Sequence, residues 1–143
     1  MAIWQISVFL ENKPGELAHI TNVLSANNID LRALTIAETS DYGILRLITD
    51  DTDKACSVLL GAGFILSKNE VTAVTVPDEP GGLAKVLSVL AGSGLDVQYM
   101  YSIFGKQQGA AHMIFRFSEP EKAKEVLEEA GIGFTDAAEL GID

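Results

Sequence analysis

The sequence predicts an α+β fold made of two βαββαβ repeats, each an antiparallel sheet carrying its helices on one face. Three observations lead there. Residues 12–18, NKPGELA, return as residues 78–84, DEPGGLA: Asn12, Pro14, Gly15, Leu17 and Ala18 match Asp78, Pro80, Gly81, Leu83 and Ala84, 66 residues on. Each copy follows an apolar run that reads as a strand and opens a stretch with helical period. After each helix the pattern runs strand, strand, helix, strand, the order of a split β-α-β unit.

In residues 3–10, Ile6, Val8 and Leu10 alternate with Gln5, Ser7 and Phe9, the signature of a half-buried strand. After the turn, Leu17, Ile20, Val23 and Leu24 recur at three- and four-residue spacing, the apolar stripe of an amphipathic helix. Asn28 should end it, because its counterpart is Gly94, and Asn and Gly are the residues that most readily take the left-handed conformation. Residues 29–38 and 42–50 then read as a hairpin turning at Thr39, Ser40 and Asp41. Asp50, Asp51, Thr52 and Asp53 offer an acceptor and an acid to a second helix, with Ala55, Val58 and Leu59 facing inward. Gly61 and Gly63 close that helix, and residues 64–67 form a short fourth strand.

The second copy repeats the order: a strand at 71–76, a helix with Leu83, Val86, Leu87 and Leu90 on one side, and a hairpin at 95–104 and 110–117. Ser118 followed three residues later by Glu121 predicts a capping box for the last helix, in which Ala123, Val126, Leu127 and Ala130 face inward. By that point the spacing is 68 residues, since Ala62-Gly63 matches Ala130-Gly131, which places a two-residue insertion near 106–108. Arg46 and His112 are expected at equivalent third-strand positions. Tyr99 and Tyr101, with Met100 between, are expected to put one side chain on each face of a strand and to serve packing. The domains are expected at 1–68 and 69–143.

The composition excludes several functions. A net charge of −10 argues against a nucleic-acid backbone or an anionic membrane surface as partner, since both require a positive patch. Cys56 is the only cysteine, so no disulfide within the chain and no thiolate metal cluster is expected. No Gly-rich phosphate loop, metal-spaced His or Cys cluster, or Ser/His/Asp set is present, so no cofactor, metal or catalytic residue is expected. The first residues lack a basic segment and their apolar run is short, which predicts a cytoplasmic protein.

Taken together, Asn or Asp, any residue, Pro-Gly, any residue, Leu at each first turn, and the steps Ile29-Asp30-Leu31 and Leu95-Asp96-Val97 at each second strand, resemble a tandem pair of ACT domains over nearly the whole chain. The resemblance implies a ferredoxin-like fold and a stand-alone, non-catalytic regulatory module that binds a free amino acid, often between paired domains, and signals to amino-acid metabolism. Two departures stand out. Leu10 and Val76 occupy places where amino-acid-inhibited members often have His, and Asp30 and Asp96 stand where the family often has Asn.

In that reading Asn12 and Asp78 orient the ligand, while the N–H groups of Gly15, Glu16 and Leu17, or of Gly81, Gly82 and Leu83, receive its carboxylate. Asp30 and Asp96 would neutralise its ammonium. The competing structural roles are helix caps for Asn12 and Asp78 and solvated strand starts for Asp30 and Asp96. A structural or protein-interaction module, such as the regulatory subunit of a biosynthetic enzyme, is the alternative function.

Residues 68–70 can span only roughly 10 to 14 Å, too little to join two repeats of strand order 4-1-3-2 through their second strands, whose ends would lie roughly 29 Å apart. Joining through the fourth strands, or one ribbon over 64–76, fits. The second-strand edges, 31–38 and 97–104, are thereby left for a second copy, which predicts a homodimer with ligand sites near the interface.

Overall fold

A computed structural model describes residues 2–38, 41–106 and 108–143. It divides into two compact units, one of residues 4–70 with 141–143, the other of residues 71–140 with the start of the chain. In the first, β1 (Ile3–Glu11), α1 (Glu16–Ala26), β2 (Leu31–Glu38), β3 (Tyr42–Thr49), α2 (Thr52–Gly61) and the opening residues of β4 (Ile65–Pro77) follow one another. Their strands neighbour in the order β4-β1-β3-β2, and β3 runs antiparallel to both β1 and β2. Ile6, Val8 and Leu10 of β1 and Leu45 and Leu47 of β3 pack beneath Ile20, Leu24, Ala55 and Leu59 of the two helices. The two-residue period of the strands and the three-to-four period of the helices thus meet in one core.

The second unit repeats the plan with the rest of β4, α3 (Gly82–Gly92), β5 (Val97–Ile103), β6 (Ala110–Phe117) and α4 (Pro120–Glu129). The order is β4-β6-β5, and a bridge from Val74 to Phe134 holds the place of a final strand. Val74, Val76, Phe115 and Phe117 lie under Val86, Leu90, Ala123 and Leu127. On the opposite face the chain after α4 returns over β4 and β6: the Thr75 and Thr135 hydroxyls are 2.7 Å apart, and buried His112 reaches Thr135 Oγ1 through Nδ1 at 3.0 Å. Tyr99 and Tyr101 stack on one face with centroids 6.5 Å apart, while Met100 packs into the core.

Several local features match their residues. Asn28 has φ 56° and Gly94 φ 69°, so either residue closes the helix through the left-handed region. Asp51 caps α2, its carboxylate accepting the Lys54 N–H at 3.1 Å.

Of the two joins expected at 68–70, the single ribbon forms: Lys68-Asn69-Glu70 is the middle of β4, a strand of 13 residues; Asn69 is held by the Gln5 amide at 3.3 Å, and Lys68 lies 4.8 Å from the Trp4 ring centre. Two features differ from expectation. The capping box does not form: Glu119 occupies the cap position of α4, Pro120 takes the first turn, and the Ser118 hydroxyl donates to the Asp96 carbonyl at 3.4 Å. Finally, Arg46 pairs with Ser7 and His112 with Thr75, so His112 corresponds to Ile44 and Arg46 to Ile114. The insertion precedes β6 and shifts the register by two. The turn expected at Thr39 and Ser40 lies outside the described residues, as does Gln107.

Candidate functional site

Each repeated turn is built the same way. In the first, the Lys13 N–H donates to the Glu11 carbonyl at 2.9 Å and the Glu16 N–H to the Lys13 carbonyl at 3.4 Å; in the second, Glu79 donates to Pro77 at 2.9 Å and Gly82 to Glu79 at 3.1 Å. Gly15 and Gly81 then occupy the cap positions with φ 87° and 88°. That conformation costs an ordinary residue roughly 1–2 kcal/mol. The cap residue of each helix is thus a glycine, and Asn12 and Asp78 stand three positions before it. The Asn12 carboxamide lies over Gly43, its Oδ1 about a van der Waals contact from where a Cβ would stand. The first-turn amides of α1 and α3 have no upstream carbonyl within their helix, and Leu17 and Leu83 belong to that set.

Asp30 and Asp96 lie elsewhere. Glu38 pairs with Gly43 and Leu31 with Thr49 along β2 and β3, while Glu11 pairs with Tyr42. The turn at Asn12 therefore sits at the Glu38 end of β2, while Asp30 adjoins Leu31 at the other end, seven residue steps or roughly 23 Å from Glu38. The same holds in the second unit, where Pro77 pairs with Ala110 and Val97 with Phe117. Each aspartate has a local role. The Asp30 carbonyl accepts the Asp50 N–H at 3.0 Å, the Asp30 N–H donates to the Asp50 carboxylate at 3.0 Å, and the Asp30 carboxylate accepts Arg32 Nη1 at 3.0 Å; the Asp96 carbonyl accepts the Ser118 N–H at 3.3 Å.

The first turn forms a wall between two open cavities. On its β2 flank, a cavity of about 410 Å³ is lined by Asn12, Leu17, Ile36, Glu38 and Gly43 together with the turn. On the β4 flank, a larger one of about 870 Å³ is lined by Phe9, His19, Tyr42, Gly63, Phe64 and Ile65 with the same turn. Both contain Glu11, Lys13, Gly15 and Glu16. Lys13 Nζ lies 3.2 Å from Glu11 and 3.5 Å from Glu16; its hydrogen bond and attraction to Glu11, then those to Glu16, raise its pKa above the usual lysine range. Two carboxylates and one ammonium leave this mouth with a net negative charge.

The aromatic side of the larger cavity was not legible as a site in the sequence. Phe9 and Tyr42 have ring centroids 6.2 Å apart and His19 and Phe64 5.2 Å. Phe9 stands on the outward face of its strand and Phe64 follows α2, so their positions carry no motif. In the second unit the turn is tighter: a Cβ on Gly82 would overlap the Pro77 carbonyl, whereas Glu16 holds the matching place in the first. Among the described residues no group of His, Cys, Asp and Glu is placed to hold a metal, and no helix is long and apolar enough to cross a membrane.

Fold and turns together define a pair of ferredoxin-like βαββαβ domains. A family model described as an ACT domain pair matches residues 1–142, and the chain belongs to that family. A protein of Bacteroides thetaiotaomicron with a solved structure is 41% identical, with a TM-score of 0.90, over 99% of this chain and 96% of that one. The ligand-free regulatory subunit of aspartate kinase from Thermus thermophilus shares the fold at 15% identity and a TM-score of 0.64, over 90% and 92% of the two chains. The corresponding Thermus flavus subunit shares it at 14% and 0.65, over 92% of each. No curated protein sequence matches significantly. The chain is thus a pair of ACT domains in tandem.

Proposed function

We propose that this module binds a free α-amino acid at the β1–α1 turn and relays its presence to amino-acid metabolism in the cytoplasm. The observation that carries the reading is the turn itself: a left-handed glycine leads each copy into a helix whose first amides point beyond its end, and in the first copy cavities open on both flanks. The carboxylate of the ligand meets the amides of Gly15, Glu16 and Leu17. Of these, the Glu16 N–H already has a long bond to Lys13 at 3.4 Å, one that a charged acceptor can displace.

A second copy of the chain completes the arrangement. Leu17, Leu34 and Ile36 are 41%, 50% and 44% exposed along α1 and β2, and β2 has only β3 beside it. Exposed apolar strand edges are sites of pairing. Two β2 strands set antiparallel would bring Asp30 of each copy toward the other's turn, across the roughly 23 Å of β2 that lies between the two within one unit. The ligand and the homodimer then support one another, with aspartate ready for the ammonium once Arg32 is displaced.

The same edge favours a second reading, in which β2 docks a biosynthetic enzyme and the turns serve only the fold. A melting-temperature panel of the common amino acids separates the two. Millimolar amino acid that raises the melting temperature supports a ligand site, whereas no shift with any of them leaves the docking module.

A further inference from the structure

The aromatic lining of the larger cavity is not repeated at the matching positions of the second repeat, although the backbones correspond. Ladder register matches Phe9 to Thr75 and Tyr42 to Ala110. The bonds from Phe64 to Leu59 and from Ile132 to Leu127 match Phe64 to Ile132, and so Ile65 to Gly133. Three aromatic rings and an isoleucine in one copy are a threonine, an alanine, an isoleucine and a glycine in the other. Phe64 belongs to the core of the first unit, but the shared fold does not call for Phe9, Tyr42 or Ile65. Phe9, Tyr42 and Ile65 nevertheless remain 49%, 45% and 71% exposed around one cavity, and apolar groups gathered at a concave surface mark binding rather than folding.

We infer that the β4-flank cavity of the first repeat is the ligand site, with Glu11 and Glu16 taking the ammonium in place of a second copy's Asp30, that it selects an amino acid with a large apolar or aromatic side chain, and that each chain holds one such ligand. This rests on the reading of the chain as an amino-acid-binding module. Charge favours the same occupant. The net negative mouth formed by Glu11, Glu16 and Lys13 attracts an ammonium, the amides of the turn attract a carboxylate, and the Phe9–Tyr42 and His19–Phe64 pairs receive a hydrophobic side chain. A purely anionic ligand would be repelled at this mouth, and a small polar amino acid would leave the rings in water. At about 870 Å³ the cavity exceeds the small ligand's own volume, so one wall serves selectivity while the other admits the head group.

The test is calorimetric titration of the full chain with L-phenylalanine and L-leucine against L-serine, L-aspartate and L-lysine, with melting curves of each variant to establish folding. The expected result is saturable binding of phenylalanine or leucine at one per chain. Phe9→Ala and Ile65→Glu should each weaken it by at least about tenfold, whereas Lys85→Ala, at the position matching His19, should leave it unchanged. Ile65 is the most exposed of the set, so Ile65→Glu supplies the readout even if Phe9→Ala unfolds. Binding confined to serine, aspartate or lysine overturns the inference while the amino-acid reading stands. Two ligands per chain, or phenylalanine affinity indifferent to both variants, overturns it as well. No binding of any amino acid removes the underlying reading together with the inference.

Discussion

At the scale of the residue, the strongest demands come from glycine. Gly15 and Gly81 both sit near φ 90°, and a β-branched side chain resists that conformation and crowds the approach to the amides. Gly15→Val should abolish ligand binding, with a melting temperature lowered but a transition still cooperative; calorimetry and thermal melting report the two effects separately. Gly82→Ala is a different case, because its Cβ would overlap the Pro77 carbonyl, so destabilisation without any ligand effect is expected. Cys56 is half-buried, and burial pushes its thiol pKa up, Lys68 only partly opposing this. The thiolate is the reactive species, so alkylation of the native protein at neutral pH should be slow and should accelerate on unfolding. Fast labelling of the folded chain would contradict the burial. The residue types of the turn were legible because they repeat. The cap position itself was not, since a short polar side chain before a helix satisfies the cap pattern, whereas Gly15 occupies that position.

At the scale of the element, periodicity carried nearly all of the information. The stripe Leu17, Ile20, Val23, Leu24 located α1, of which Ile20 and Leu24 are fully buried. Leu24→Ala should cost about 2–5 kcal/mol, the usual range for an emptied leucine site, measured by denaturant unfolding. Asp51→Ala removes an observed cap and should cost about 1 kcal/mol, whereas Ser118→Ala removes only a long bond to a strand carbonyl and should cost less. An equal loss in both would mean that Ser118 caps after all. Two joins stood open at Lys68-Asn69-Glu70, and the ribbon formed, with partly buried Asn69 between exposed neighbours and with Gln5 and Trp4 as partners. Where sequence reading went astray, a local pattern met a longer-range contact: the capping-box spacing at Ser118 gave way to a bond to the Asp96 carbonyl. The register of Arg46 and His112 required the position of the insertion, which only ladder pairing supplies.

At the scale of the whole molecule, the repeat was readable and the division of labour between its copies was not. Equivalent backbones carry different side chains: an aromatic cavity beside the first turn, and in the second a tight turn together with the buried His112, Thr75 and Thr135 contacts. No motif announces such a difference, because it appears only when register places Phe9 opposite Thr75. Assembly belongs to this scale too. Exposed Leu34 and Ile36 on β2 predict that the chain sediments as a dimer at micromolar concentration and that Leu34→Lys shifts it toward monomer. A wild-type monomer both with and without amino acid would contradict the role given to the β2 edge.

The central claim is that the first turn receives an amino acid, and native-state binding at a ligand concentration of about 100 times Kd should add about 2.7 kcal/mol of apparent stability. Calorimetric titration of wild type and Gly15→Val with the amino acid that most raises the melting temperature tests it most directly. The account predicts saturable binding to wild type and none to a folded Gly15→Val. Equal affinity in the two proteins, or no heat with any amino acid, would contradict it.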